Sequence, residues 1–285
     1  MTVETVGVVG SGIMGGGIAE VAALAGFDVV LRSRELSVAE GTLDSLERSL
    51  DKRVAKGSLG DDEAKAALSR VTPTDNLHDL AECDLVIESV VEDLPTKRRL
   101  FADLDRACKE HALLATNTST LPVVDLAMQT GRPDKVCGIH FFNPAPLMKL
   151  VEIVRPVTAA DETISTAESF ADACGKTAVV VKDRAGFVVN ALLFPYLNNA
   201  VRLLDQGVAE MEDIDEAMKG GCGFPMGPFA LLDLVGLDTS LAILEALYDE
   251  YKEPNYAPVP LLKRMVTAEL LGRKTGKGFY DYGRS

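Results

Sequence analysis

Residues 8–26 read VVGSGIMGGGIAEVAALAG, a run of small and branched apolar residues interrupted by glycines. Gly10, Gly12 and Gly15 stand in G-x-G-x-x-G spacing, after one predicted strand and at the opening of a predicted helix. Each glycine has a physical task. Gly10 permits the tight turn, Gly12 lets backbone approach a pyrophosphate, and Gly15 allows close helix–strand packing, while the helix N-terminus supplies positive potential. Ile13 and Met14, between the last two glycines, count with them as cofactor-binding positions. The spacing alone is common; its strand–turn–helix–strand setting makes it a dinucleotide-binding unit.

The flanking pattern gives the fold. Short β-branched runs at 5–10, 28–32, 83–88, 112–117, 136–141, 149–154 and 177–181 alternate with amphipathic stretches, as an open, mainly parallel α/β sheet requires. A long helical stretch over about 35–70, broken near GSLGD (57–61), reads as a helical arm. After KDRAG (182–186) strand-like runs stop and helical periodicity takes over at 187–207, 211–221, 236–251 and 260–272, with a kink predicted at Pro195. The expected fold is therefore a Rossmann-type doubly wound sheet in residues 1–183, followed by a smaller all-α domain in 184–285.

Composition limits what such a chain binds. The 285 residues carry a formal net charge of −14, so a polyanionic nucleic acid or an anionic membrane surface is not an expected partner. Any anionic ligand must meet a local cluster of Lys and Arg. The five cysteines include no C-x-x-C pair and suggest neither a disulfide framework nor a zinc site. They read as small buried apolar residues. MTVETVGVVG at the amino terminus shows no basic segment before an apolar core, and a reducing cytoplasm is the expected address.

Two places bear on chemistry. At the end of the second strand, where an acid usually meets the adenosine ribose, the sequence VLRSRE (30–35) has Ser33 between Arg32 and Arg34. An Asp there would repel the extra phosphate of NADP; Ser33 does not. Arg32 and Arg34 also suit a plain solvated strand end. Further on, His140 sits near the end of a predicted strand in GIHFFNPAPLMKLVEIV (138–154), and Glu152 interrupts the next apolar run. A buried carboxylate costs several kcal/mol unless paired. One that orients an imidazole and stabilises its cation makes a general base. Exposure on a sheet edge is the other reading of Glu152. His78 and His111, the remaining histidines, have unremarkable settings.

With these residues in place, the chain resembles the 3-hydroxyacyl-CoA dehydrogenases, particularly the stand-alone short-chain or 3-hydroxybutyryl-CoA type. The motifs run in order from end to end: GSGIMGGGIA, VIESVVEDLPTK, ATNTSTL, GIHFFNPAPLMKLVEIV, KDRAGFVVNALLFPYLNNA, GCGFPMGPFALLDLVGLD and GRKTGKGFYDY. The resemblance implies that His140 is the catalytic base and Glu152 the carboxylate that orients it. It implies that Ser119 and Asn190 hold the substrate oxygen, although alone they read equally as a loop cap and a polar helix residue. It puts Glu92, Lys97, Asn117, Asn143 and Lys274 at the nicotinamide cofactor, and Ser49 and Lys56 at coenzyme A. Lys52, Arg53 and Lys56 then make the sort of basic patch an acidic protein needs for a nucleotide phosphate, on an arm that reads as a substrate lid; without the resemblance the cluster reads as an ordinary solvated helix face.

The expected reaction is reversible hydride transfer at the 3-position of an acyl-CoA, with NAD(P) and no metal. Ser33 and Arg34 favour NADP(H) preference or dual use, since many family members are acidic at the position of Ser33. The competing readings are a small β-hydroxyacid dehydrogenase, which would use a central lysine, and a catalytically silent NADP-binding sensor. Extensive apolar stretches in the helical domain lead us to expect a homodimer.

Overall fold

The computed structural model describes residues 2–283. The chain divides into two compact units that meet in sequence between Asp183 and Arg184. The first runs β1 (Thr5–Val9), α1 (Ile13–Leu24), β2 (Asp28–Arg32), α2 (Leu36–Ala55), α3 (Asp61–Ser69), β3 (Val71–Thr74), β4 (Leu85–Glu88), α4 (Leu94–Ala107), β5 (Leu113–Thr116), α5 (Val123–Ala127), β6 (Val136–Phe141), β7 (Leu150–Arg155), α6 (Asp161–Ala173) and β8 (Thr177–Lys182).

The strands form one eight-stranded sheet in the order β3-β2-β1-β4-β5-β6-β7-β8. Neighbours are parallel except β6 and β7, which run antiparallel. Strands β4, β5 and β6 are buried along their whole length, as continuous apolar runs between two helical layers must be. The core joins Val6, Val8, Leu31, Ile87 and Ile153 of the sheet to Ile18 of α1 and Phe170 of α6. Strand order reverses at β1, with β2 on one side and β4 on the other. At such a switch point the connecting loops part and leave a crevice beyond the carboxyl ends of the strands. The glycine turn after β1 and the loop after β4 therefore face one crevice.

Sequence pattern missed β3. VTPT is short and holds Pro73, which ordinarily argues against a strand. Here β3 is the sheet edge, where a missing N–H leaves no ladder bond unmade. The helical stretch at 35–70 is α2 and α3, separated near Gly57 and Gly60.

The second unit contains α7 (Val189–Asp205), α8 (Met211–Cys222), α9 (Pro228–Val235), α10 (Leu237–Tyr251) and α11 (Pro260–Thr267). Pro195 lies buried inside α7. Its own core gathers Phe194, Leu197, Phe229, Leu232, Leu244 and Leu262. Two buried acids organise it. Asp215 accepts hydrogen bonds from the amides of Phe229 (2.8 Å) and Ala230 (3.1 Å) at the start of α9. Asp233 accepts from the amides of Phe279 (2.9 Å) and Tyr280 (2.8 Å), which ties the carboxyl-terminal segment to the helices.

Burial pushes the thiols of Cys83, Cys137 and Cys174 up to about 12 and that of Cys108 up to about 11. They are protonated and inert at neutral pH, as small apolar residues would be. Cys222 departs from that expectation: it is exposed at the end of α8. Among the described residues no helix is long and apolar enough to cross a membrane.

Candidate active site

The glycine turn has the form its spacing demands. Gly10 has φ +109°, a conformation that L side chains rarely adopt. A Cβ on Gly15 would lie 1.8 Å from the Gly10 carbonyl oxygen, whereas a Cβ on Gly12 would meet only open space. Gly12 is also the N-cap of α1 and offers no side-chain acceptor, so the first-turn amides of that helix, from Ile13 and Met14 onward, are left for an external anion. A cleft of about 510 Å³ opens here, lined by Ser11, Gly12, Ile13, Gly16, Thr42 and Ser49 among others. Bare backbone, a helix N-terminus and adjoining space fit the pyrophosphate of a dinucleotide.

Ser33 follows the last residue of β2, and its side chain is nearly covered, with 9% exposure. Its hydroxyl accepts a 2.9 Å hydrogen bond from Ser11 Oγ, which ties the strand end to the glycine turn. Arg34 is exposed beside it. Arg32 lies on the β3 side, where Nε donates to the Asp75 carbonyl at 3.3 Å.

Strand pairing brings His140 and Glu152 together. His140 and Glu152 are direct register partners of antiparallel β6 and β7, which puts their side chains on one face of the sheet. His140 Nδ1 and Glu152 Oε2 are 2.8 Å apart, and the two residues are 3% and 1% exposed. Strand β8 lies beyond β7, so Glu152 is not on a sheet edge. A carboxylate only accepts, so the hydrogen of this bond is on Nδ1, and Nε2 is the ring nitrogen on the other side. Ser119 Oγ stands 3.1 Å from that Nε2. Serine, histidine and glutamate thus form one line from the loop after β5 into the interior.

Glu92 and Lys97 lie next to this line. The Lys97 ammonium, 1% exposed, is 3.2 Å from Glu92 Oε2. Glu92 Oε1 accepts from the Ser119 amide at 2.9 Å and from Thr118 Oγ1 at 2.5 Å. Asn117 Oδ1 accepts from the Phe141 amide at 2.8 Å, which holds the loop after β5 to the end of β6 beside His140. The sequence reading passed over Glu88, a fully buried acid that also binds Lys97 at 2.6 Å. A lone glutamate at the end of LVIE gives no sign of its burial; the lysine nine positions on was the available signal.

Other expected site residues are spread more widely. Asn143 is exposed after β6 and precedes a cis peptide bond to Pro144. Ser49 is half-buried on α2 and lines the cleft, while Lys56 caps the carboxyl end of α2 in the open. The basic patch needs correction: Arg53 turns inward and pairs with the buried Glu20 at 3.2 Å, so Lys52 and Lys56 are its exposed charges. In the second unit, Asn190 is buried in the first turn of α7. Lys274 Nζ contacts both carboxylate oxygens of Asp238 at 2.5 Å.

Residues 5–184 match the family model of the 3-hydroxyacyl-CoA dehydrogenase NAD binding domain, and residues 186–282 match that of the C-terminal domain. A 3-hydroxybutyryl-CoA dehydrogenase of Clostridioides difficile is 47% identical, over 97% of this chain and 99% of that protein. The mitochondrial hydroxyacyl-coenzyme A dehydrogenase of Homo sapiens is 43% identical, over 98% of this chain and 91% of that one. The crystal structure of (S)-3-hydroxybutyryl-CoA dehydrogenase PaaH1 from Ralstonia eutropha superposes with a TM-score of 0.96 at 40% identity, covering 99% of this chain and all of the other.

Proposed function

The chain belongs to the 3-hydroxyacyl-CoA dehydrogenase family, and on that premise we propose that it interconverts 3-hydroxybutyryl-CoA and acetoacetyl-CoA by nicotinamide-dependent hydride transfer. The observation that carries this reading is the line Ser119–His140–Glu152, with its histidine and glutamate buried, within the unit that holds the dinucleotide turn. The cofactor would rest its pyrophosphate on the Gly10–Gly15 turn and supply the hydride acceptor or donor. Glu92, Lys97, Asn117 and Asn143 would surround its nicotinamide end. The roles that the resemblance gives Asn190, Lys274, Ser49 and Lys56 are carried over as part of this proposal.

In oxidation the substrate hydroxyl lies against Ser119 Oγ and His140 Nε2. Nε2 takes the hydroxyl proton as the carbon loses its hydride, and Glu152 offsets the charge of the imidazolium. In reduction the same imidazolium returns a proton to the oxygen. The buried setting strengthens each of these contacts relative to water. Such acid–base assistance contributes roughly 10²–10⁴-fold.

Substrate class is tested by assaying acetoacetyl-CoA beside free acetoacetate. The thioester should be reduced and the free acid left nearly untouched; equal use of the acid would favour a small β-hydroxyacid dehydrogenase. Turnover of either substrate dismisses the silent sensor.

Two further parts of the reading concern the cofactor and the assembly. The cofactor is taken to be NADP(H), or both forms, because Ser33 stands where an acid would exclude the extra phosphate and Arg34 lies exposed beside it. A homodimer through the helical unit is supported by exposed Leu192, Val208 and Leu234, apolar side chains that association would cover. Light scattering at micromolar protein should give twice the chain mass, and a monomer mass would count against it. The acidic net charge keeps nucleic acid and anionic membranes out of the proposed partners, and cytoplasmic residence stays with this reading.

A further inference from the structure

Glu88 is the last residue of β4, the strand beside the switch point, and is 0% exposed, yet no step above uses it. A carboxylate shut away from water needs partners on both oxygens. Glu88 has them. Oε1 accepts from Lys97 Nζ and from the Val90 amide, each at 2.6 Å, and Oε2 accepts from Thr116 Oγ1 at 2.7 Å.

Two routes lead from this anion to Ser119. By the first, Thr116 Oγ1 accepts the Thr118 amide at 3.1 Å, which fixes the backbone just before Ser119. By the second, Lys97 bridges Glu88 to Glu92, and Glu92 accepts the Ser119 amide at 2.9 Å. Lys97 is thus one buried cation shared by two carboxylates. If Glu88 were neutral, Glu92 would be the only anion left to Lys97 among the described residues. Glu92 is 39% exposed and has room to move onto the ammonium, which would release the Ser119 amide.

We propose that Glu88 is a positioning residue: through Thr116 it fixes the backbone before Ser119, and by holding part of the Lys97 charge it keeps Glu92 on the Ser119 amide, and so sets the Ser119 hydroxyl against His140. The inference rests on the reading of Ser119 and His140 as the acting pair. It reaches the reacting oxygen only through other residues.

Glu88→Gln keeps the shape of the side chain and removes its charge. With acetoacetyl-CoA as substrate and saturating cofactor, kcat should fall about tenfold while KM for the thioester moves less than about threefold, because a small displacement of a reacting group acts on the chemical step. A readout that needs no turnover is the Ser119 amide proton, which a carboxylate acceptor holds downfield. In the ¹H–¹⁵N spectrum of Glu88→Gln it should move upfield. Thr116→Val cuts the first route without altering any charge, and it should lower kcat by about threefold; it carries the test if Glu88→Gln does not fold. Wild-type kcat with an unmoved Ser119 amide in either folded variant overturns the proposal. So does a lower melting temperature with both of these unchanged. A lack of turnover in the unaltered chain would instead sink the reading of the site, and the Ser119 amide would still report on Glu88.

Discussion

Replacing His140 with alanine is expected to lower kcat for acetoacetyl-CoA reduction by about 10³-fold, the middle of the range for a positioned general acid–base. The magnitude follows from the proposed role of the line Ser119–His140–Glu152, in which Nδ1 is engaged by Glu152 and Nε2 would exchange the proton with substrate. Alanine also leaves Glu152 buried without its imidazole, which costs about 3–5 kcal/mol when a buried pair loses one member. The variant must therefore be compared at equal folded fraction. Glu152→Gln separates the two effects. Its amide fills the same space, so the fold is kept, but it cannot offset a charged imidazole, and kcat should fall by about 10²-fold. Binding of reduced nicotinamide, followed by its own fluorescence, should change little in both variants. A folded His140→Ala chain with unaltered turnover would remove the residue from the mechanism.

The second large effect concerns the cofactor. With saturating acetoacetyl-CoA, kcat/KM for NADPH should equal or exceed that for NADH. A charge-assisted hydrogen bond contributes about 1.5–3 kcal/mol, so one such contact to the extra phosphate changes the ratio by roughly 10–100-fold. The proposed contact would come from Ser33, which is tied to Ser11 at the glycine turn, and from Arg34, exposed beside it. Ser33→Asp should reverse the preference: the new carboxylate repels the phosphate and accepts from the ribose hydroxyls of NAD. If NADPH proves much poorer than NADH in the unaltered chain, Arg34 is a surface charge and the proposed NADP(H) preference is wrong.

The parts of this account that were legible in the sequence share a property: their signal is local. The glycine turn is a strand, a spacing and a helix within one short stretch, and its geometry in the structure, with φ +109° at Gly10 and no room at Gly15, is what that spacing encodes. His140 and Glu152 stood out because polar groups in apolar strands need a reason. The structure supplies it as a register pair. Long-range facts were not legible. That β3 tolerates Pro73 depends on its place at the edge of the sheet, which no window of sequence reveals. Arg53 reads as part of a basic patch until Glu20, on another helix, is seen to face it. Glu88 reads as an ordinary strand-end acid until the reversal of strand order buries it between β1 and β5.

The central claim is that the Ser119–His140–Glu152 line serves hydride transfer at the 3-position of an acyl-CoA. Its most direct test is the fate of the hydrogen, followed by mass spectrometry with acetoacetyl-CoA and a reduced nicotinamide deuterated at the transferring position. The account predicts 3-hydroxybutyryl-CoA with one deuterium on C3 from the unaltered chain, and almost none from His140→Ala at equal folded fraction. A deuterated product formed equally fast by both chains, or no product from the unaltered one, would contradict it.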